Sequence, residues 1–205
     1  MERYEEILQF WFGNIDEDTV IAKGGTLSQR WFGKNKNFDA EIKKNFEADL
    51  NRAAVGKLKE WEESPRGRLA LIILLDQFPR NIYRNTVKAF DYDLQALEHC
   101  LVAIKRKQDD QLNLLVERQF LYMPMMHSEN SIVQEQSLQY FKLLAEEAER
   151  FEPQNVEYFQ YTLGYAQRHY DAIKQFQRFP HRNKILKRKS TSGERSFLES
   201  PGSSF

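Results

Sequence analysis

Leu69-Ala-Leu-Ile-Ile-Leu-Leu-Asp76-Gln77-Phe78-Pro79-Arg80-Asn81-Ile82-Tyr83-Arg84 is the stretch whose reading decides the fold. Seven uncharged residues run straight into Asp76, Gln77, Arg80, Asn81 and Arg84. A run of seven is too short to cross a bilayer, so it reads as a fully buried core segment. Ser64-Pro65 reads as an N-cap followed by proline at the first helical position, which favours helix over strand. Pro79 is then expected to stop that helix near Phe78. The polar cluster falls where the most buried helix ends, so partners or a ligand must satisfy it.

Outward from this stretch, the apolar pattern keeps a helical period. Ile7, Leu8, Phe10, Trp11 and Phe12 cover more than one face of a first helix that ends at Gly13. Trp31-Phe32-Gly33 repeats the wording of Trp11-Phe12-Gly13, which predicts two similar helix endings packed in one core. Phe38, Ile42, Phe46, Leu50 and Ala53 recur every three or four residues, with Asn37 or Asp39 as the start and Gly56 as the C-cap. On the other side, Leu94, Leu97, Leu101 and Ile104 mark a helix over Asp91 to Lys107, and Cys100 beside that stripe reads as a buried structural thiol. Leu112 to Met123 is expected as a helix closed by Pro124. Ser128 or Asn130 caps the next one, which carries Val133, Tyr140, Phe141, Leu144 and Ala148. Val156, Phe159, Leu163, Ala166, Tyr170, Ile173 and Phe176 mark the last long helix. About seven helices and no convincing strand make the class all-α.

Composition bounds the rest. A chain of 205 residues fits one large domain, read as a single all-helical domain over 1–189 with a Ser/Gly-rich tail over 190–205, partly ordered by docking. Ser190 to Glu194 is able to cap one short helix carrying Phe197 and Leu198. Thirty basic and thirty acidic residues cancel, so no bulk field favours nucleic acid or membrane as a partner. The opening Met1-Glu2-Arg3-Tyr4 leads directly into an amphipathic pattern, so no leader is expected. The lone Cys100 fits a reducing cytoplasm. The oligomeric state is not legible.

Two constellations bear on chemistry. Phe78-Pro79-Arg80-Asn81 and Phe179-Pro180-His181-Arg182-Asn183 each follow an apolar-faced helix and present Arg and Asn after a proline. Forked guanidinium donors suit a carboxylate or phosphate, so two converging elements would form an anion clamp. The weightier reading of the residues alone is structural: Arg80 and Arg182 pair with Asp76, Asp91 or Glu129 and tie helix ends together. His127-Ser128-Glu129 is the second constellation, read as a general base, a metal-ligand pair, or a structural or ligand-fixing fastener. His169 and Asp171 add donors, but metal-ligand spacing is missing. No P-loop, GxGxxG or GxSxG occurs, so neither a cofactor nor a nucleotide fold is expected. The basic run Arg178 to Lys189 carries no recognised nucleic-acid motif.

Phe10-Trp11-Phe12, Leu74 to Asn81, Phe120 to Glu129 and Arg178 to Asn183 together resemble the bacterial domain of unknown function 924 family. The four motifs come in the family's order and span nearly the whole chain. The resemblance implies a tetratricopeptide-like helical-repeat fold of antiparallel helix pairs, and no established activity. Gln177 and Lys187 stand where the family's Phe-Gly-Arg-Phe-Pro-His-Arg-Asn and Leu-Gly-Arg patterns have glycine, which removes easy access to positive φ.

The residues and the resemblance lead to a binding protein with an internal polar pocket for a small anionic ligand or an acidic peptide end. The site is assigned to Asp76, Gln77, Arg80, Asn81, Arg84, His127, Glu129, His181, Arg182 and Asn183. In it Arg80 and Arg182 clamp the anion, and Asp76 and Glu129 hold the guanidiniums. The alternatives are a hydrolase or lyase with His127 as base polarised by Glu129, and a scaffold that grips a partner helix.

Overall fold

A computed structural model describes residues 1–203, so Ser204 and Phe205 of the expected tail lie outside the described residues. Among the described residues every regular element is helical. They are α1 (Arg3–Phe12), α2 (Thr26–Phe32), α3 (Lys36–Ala54), α4 (Pro65–Ile72), α5 (Phe78–Ile82), α6 (Asp93–Lys105), α7 (Leu115–Met126), α8 (Ser131–Phe151), α9 (Val156–Phe176) and α10 (Ser192–Leu198), with short single turns between them.

The Leu69–Leu75 run is the centre of the core, with each side chain almost wholly removed from water. Ser64 Oγ accepts from Gly67 N at 2.9 Å, and Pro65 occupies the first turn, as the sequence predicts. Gly67 is needed there for space: a Cβ would sit 2.4 Å from the Trp61 carbonyl oxygen. Helix α4 packs on α1, α6 and α7, while the continuation of the same rod packs on α3.

Proline does not end this helix. The chain passes from α4 through a π turn, Ile73–Gln77, directly into α5, with Pro79 inside its first turn. The π turn shifts the hydrogen-bond ladder by one residue, so that Phe78 N donates to Ile73 O. That shift absorbs the missing proline N–H. Pro124 likewise lies inside α7, which continues to Met126 and begins at Leu115, later than expected.

Other boundaries move for identifiable reasons. Asn35, not Asn37 or Asp39, caps α3, its Oδ1 accepting from Asn37 N and Phe38 N. Asn130 caps α8 in the same way. The helix endings with repeated wording do pack together: Trp31 Nε1 donates to Trp11 O at 2.9 Å, and Phe12 meets Trp31 edge-on. Helix α6 buries Ala96, Cys100 and Ala103, and leaves Leu94 81% exposed and Leu101 38% exposed. Small residues let α6 approach α4 closely, Leu94 and Leu101 face solvent, and Leu97 packs half-buried against the core.

Helices α7, α8 and α9 pack in sequence, α8 and α9 along most of their length. The connection Glu152–Asn155 is short enough that α9 returns alongside α8. Beyond α9 the chain turns at Gln177, passes through the single turn Pro180–Arg182 and closes on α10. Thr191 and Glu194 form a reciprocal capping box there.

Candidate functional site

The π turn places Asp76 on the inner side of the α4–α5 rod, with no solvent exposure. Its Oδ1 accepts from His127 Nδ1 at 2.7 Å, at the C-terminal end of α7. Its Oδ2 accepts from Gln77 Nε2, which also lies 3.7 Å from Met123 Sδ. The loop after His127 is held by Gln134, whose Nε2 donates to Met126 O and Ser128 O, each at 2.6 Å. These contacts fix the imidazole from two directions.

Arg80 lies one helical turn past Asp76. Its Nη1 donates to Asp76 O at 2.7 Å and to Asp93 Oδ1 at 2.8 Å, and sits 3.4 Å from Asp76 Oδ1. Asp93, at the first turn of α6, accepts a second guanidinium: Arg182 Nη1 reaches its Oδ2 at 3.2 Å. Arg182 Nη2 donates to His127 O at 3.0 Å, and its guanidinium lies between the rings of Phe90 and Phe179, at 4.7 and 4.6 Å from their centroids. The Phe78-Pro79-Arg80 and Phe179-Pro180-His181-Arg182 elements therefore converge, with Asp93 as the acid that joins them. Asp91 and Glu129 do not serve these arginines.

Electrostatics follow from this burial. Burial pushes the Asp76 carboxyl up, but Arg80, His127 and Gln77 outweigh it and hold the group down at about 2. Burial and the nearby Arg80 lower His127 against the pull of Asp76, so it is a neutral imidazole beside an ionised carboxylate. With the proton on Nδ1, Nε2 presents a lone pair. Burial and then Arg182 bring His181 down to about 3, and burial brings Arg182 down to about 10.

Of these groups, His127, Asp93 and Arg182 line a cleft of about 300 Å³. Asp91, Asp93, His127, Ser128, Glu129 and Arg182 make its polar lining, and Val87, Phe90, Leu94, Leu97 and Leu186 its apolar wall. Arg80 Nη2 and Arg182 Nε are buried without an acceptor among the described residues. Of the two arginines only Arg182 lines the cleft, and a carboxylate or phosphate oxygen would answer its unsatisfied N–H.

Several residues assigned from sequence stand elsewhere or in other roles. Asn81 and Arg84 both hold Asp39 on α3, Arg84 through two donors at 3.0 and 2.8 Å, and so fasten helices away from the cleft. Glu129 does not touch the His127 imidazole. It accepts from Phe179 N at 2.8 Å and from Arg188 at 2.7 and 2.9 Å, and so holds the C-terminal segment. Asn183 belongs to the same fastening, through Arg188 Nε and Ser190 Oγ. His181 packs beside Phe179, at 5.6 Å between ring centroids. His169 lies 6.2 Å from His127, while Asp171 is exposed and hydrogen-bonded to Gln167. Sequence reasoning missed Asp93, Phe90, Leu186 and Arg188. Asp93 sits in the first turn of α6, where an acid is ordinary, and Arg188 sits in a basic run with nothing to single it out.

Gln177 and Lys187, at the two glycine positions, still adopt left-handed backbone, with φ of 60° and 54°. The expected loss of positive φ does not occur. The backbone keeps that conformation with side chains that disfavour it.

A profile described as "Bacterial protein of unknown function (DUF924)" matches residues 7–202. The chain is also similar to a solved structure of a protein of unknown function from Agrobacterium tumefaciens, with 32% identity, a TM-score of 0.77 and 96% of each chain covered. No curated protein matches it. Among the described residues no helix is long and apolar enough to cross a membrane.

Proposed function

This chain belongs to the DUF924 family of bacterial proteins of unknown function, and we propose from its own cleft that it binds a small anionic molecule. The observation that carries this reading is the convergence of Arg80 and Arg182 on Asp93, with a buried N–H left over on each guanidinium. Asp76 and Asp93 already balance the two charges, so the attraction is for hydrogen-bond acceptors correctly placed rather than for bulk negative charge. A carboxylate or phosphate entering beside Arg182 would supply them. An acidic peptide end fits the same chemistry. Cytoplasmic residence is part of this reading, supported by the fully buried single thiol of Cys100.

Calorimetric titration with acetate, benzoate and inorganic phosphate tests it. Saturable binding to the wild type that is lost in a folded Arg182→Gln variant is the expected result. Absence of heat with all three contradicts it.

A second reading is favoured by a different observation. The Asp76–His127 hydrogen bond leaves Nε2 at the cleft with no partner among the described residues, which is the arrangement of a general base. In a hydrolase or lyase this nitrogen would take a proton from water or from the ligand, and Asp76, not Glu129, would stabilise the imidazolium. His127→Gln keeps a donor toward Asp76, so under this reading it spares binding and removes turnover. Equal loss of both counts against a base.

A further inference from the structure

Helix α6 carries an apolar stripe that the core uses only in part: Leu97 packs against it half-buried, while Leu94 and Leu101 stay exposed. Its buried face is Ala96, Cys100 and Ala103, while Leu94, Leu97 and Leu101 recur at spacings of three and four on another face. Leu94 is 81% exposed, the most exposed leucine of the chain's described residues. Leu94 and Leu97 also line the cleft, beside Val87, Phe90 and Leu186. One continuous apolar wall therefore begins next to Arg182 and His127 and runs out along the helix. From Leu94 to Leu101 it extends about 10 Å.

We propose that the ligand of this cleft is an amphiphilic carboxylate, with its head at Arg182 and His127 and an alkyl chain laid along Leu94, Leu97 and Leu101. The inference rests on the anion-binding reading and adds the chemical class of the rest of the molecule. The charge arrangement selects this occupant over a partner helix. Arg182, the one cation lining the cleft, lies at one end of the wall with a buried N–H unanswered, and a chain with a single terminal acid matches that polarity. An apolar helix face of a partner would leave that donor unanswered. A cleft of about 300 Å³ is at the small end of ligand sites, which suits a single chain with its far end emerging along α6.

The test is a titration of the full chain with acetate, butyrate, hexanoate and octanoate, repeated on Leu94→Ser and accompanied by sedimentation of the unliganded protein. Each methylene laid on the wall should tighten binding by about fourfold at most, the limit for complete removal from water. The wild type should therefore show affinity climbing with chain length, and Leu94→Ser should flatten the series toward the acetate value. Leu94 is exposed enough for that variant to fold, and its thermal midpoint checks this. If all four acids bind with equal affinity, the amphiphile is wrong and the anion site stands. If none binds, both fail. If the unliganded protein self-associates and Leu94→Ser abolishes the association without changing octanoate affinity, the stripe is an interface between copies and the proposal is overturned.

Discussion

Asp76 Oδ1 and His127 Nδ1 lie 2.7 Å apart across 51 residues of chain, and this one contact joins the most buried helix to the end of α7. It also separates the roles of two carboxylates. Asp76 is wholly buried and answers to His127 and Arg80, while Glu129 is partly exposed and answers to Arg188 and a backbone N–H. Asp76→Asn removes a fully buried charge that Arg80 and His127 share, leaving Arg80 only Asp93. It should therefore cost about 3–5 kcal/mol in urea unfolding. Glu129→Gln weakens a partly exposed pair and should cost about 1 kcal/mol. Its signature is faster proteolysis after Gln177 with the helices before it intact. Equal costs for the two variants would contradict the assignment.

Stability should fall in two steps on acidification. All four histidines, His99, His127, His169 and His181, are lowered, each chiefly by burial. The folded chain keeps them neutral, and the unfolded chain takes up protons near pH 6.5. The unfolded state binds more protons below that value, so stability is complete above about pH 6.5 and declines beneath it. Asp76, held at about 2, adds stability that is complete above about pH 4 and lost as the pH falls toward 2. Urea midpoints should drop between pH 7 and 5 and again below 4, with a shallower first drop in His127→Gln. A flat midpoint from pH 7 to 5 would show that the histidines are not held neutral.

Glycine should stabilise at a position where it usually weakens a protein. Lys187 sits at φ 54° with an exposed side chain that makes no hydrogen bond among the described residues. Relief of left-handed strain, about 1–2 kcal/mol, exceeds the added freedom of the unfolded chain, about 0.4–1 kcal/mol. Lys187→Gly should thus raise stability by roughly 0.5–1 kcal/mol in denaturant titration. Gln177→Gly should gain less, because the Gln177 Nε2 donates to Ile173 O and Lys174 O at the end of α9. Destabilisation by Lys187→Gly would mean that its side chain has a role the fold does not reveal.

Asn81 and Arg84 share one acceptor residue, Asp39. Arg84→Ala should cost about 1 kcal/mol and leave anion titrations unchanged. The double variant with Asn81→Ala should fall short of the sum of the single losses, since both act on one carboxylate. Lost ligand binding in Arg84→Ala would return this residue to the site.

Helices, their order and the central position of Leu69–Leu75 were readable because a buried apolar run and a 3.6-residue period are local signals. The proline stops misled for a physical reason: a π turn before Pro79 relieves the missing donor, and nothing in composition announces a π turn. Asp76, His127, Arg80 and Arg182 were legible as unusual polar residues at apolar helix ends. Asp76 beside Arg80 was legible at a spacing of four, but the pairing of Asp76 with His127 and of both arginines with Asp93 was not, because it depends on which helix ends meet. Asp93 is the clearest case, an ordinary first-turn acid until the fold brings two arginines to it. The outward leucines of α6 were equally hidden, since periodicity finds an apolar stripe and packing decides which face is buried.

The most direct measurement is thermal unfolding of the purified chain against carboxylates, phosphates, nucleotides and divalent metals. A ligand at about a hundred times its dissociation constant adds roughly 2.7 kcal/mol, and each kcal/mol moves the midpoint about 2–4 °C for a domain of this size. Carboxylates or phosphates should shift the midpoint up by several degrees in the wild type and leave a folded Arg182→Gln variant unshifted. A panel without any shift, or a shift of equal size in that variant, would contradict an anion site built on Arg80, Arg182 and Asp93.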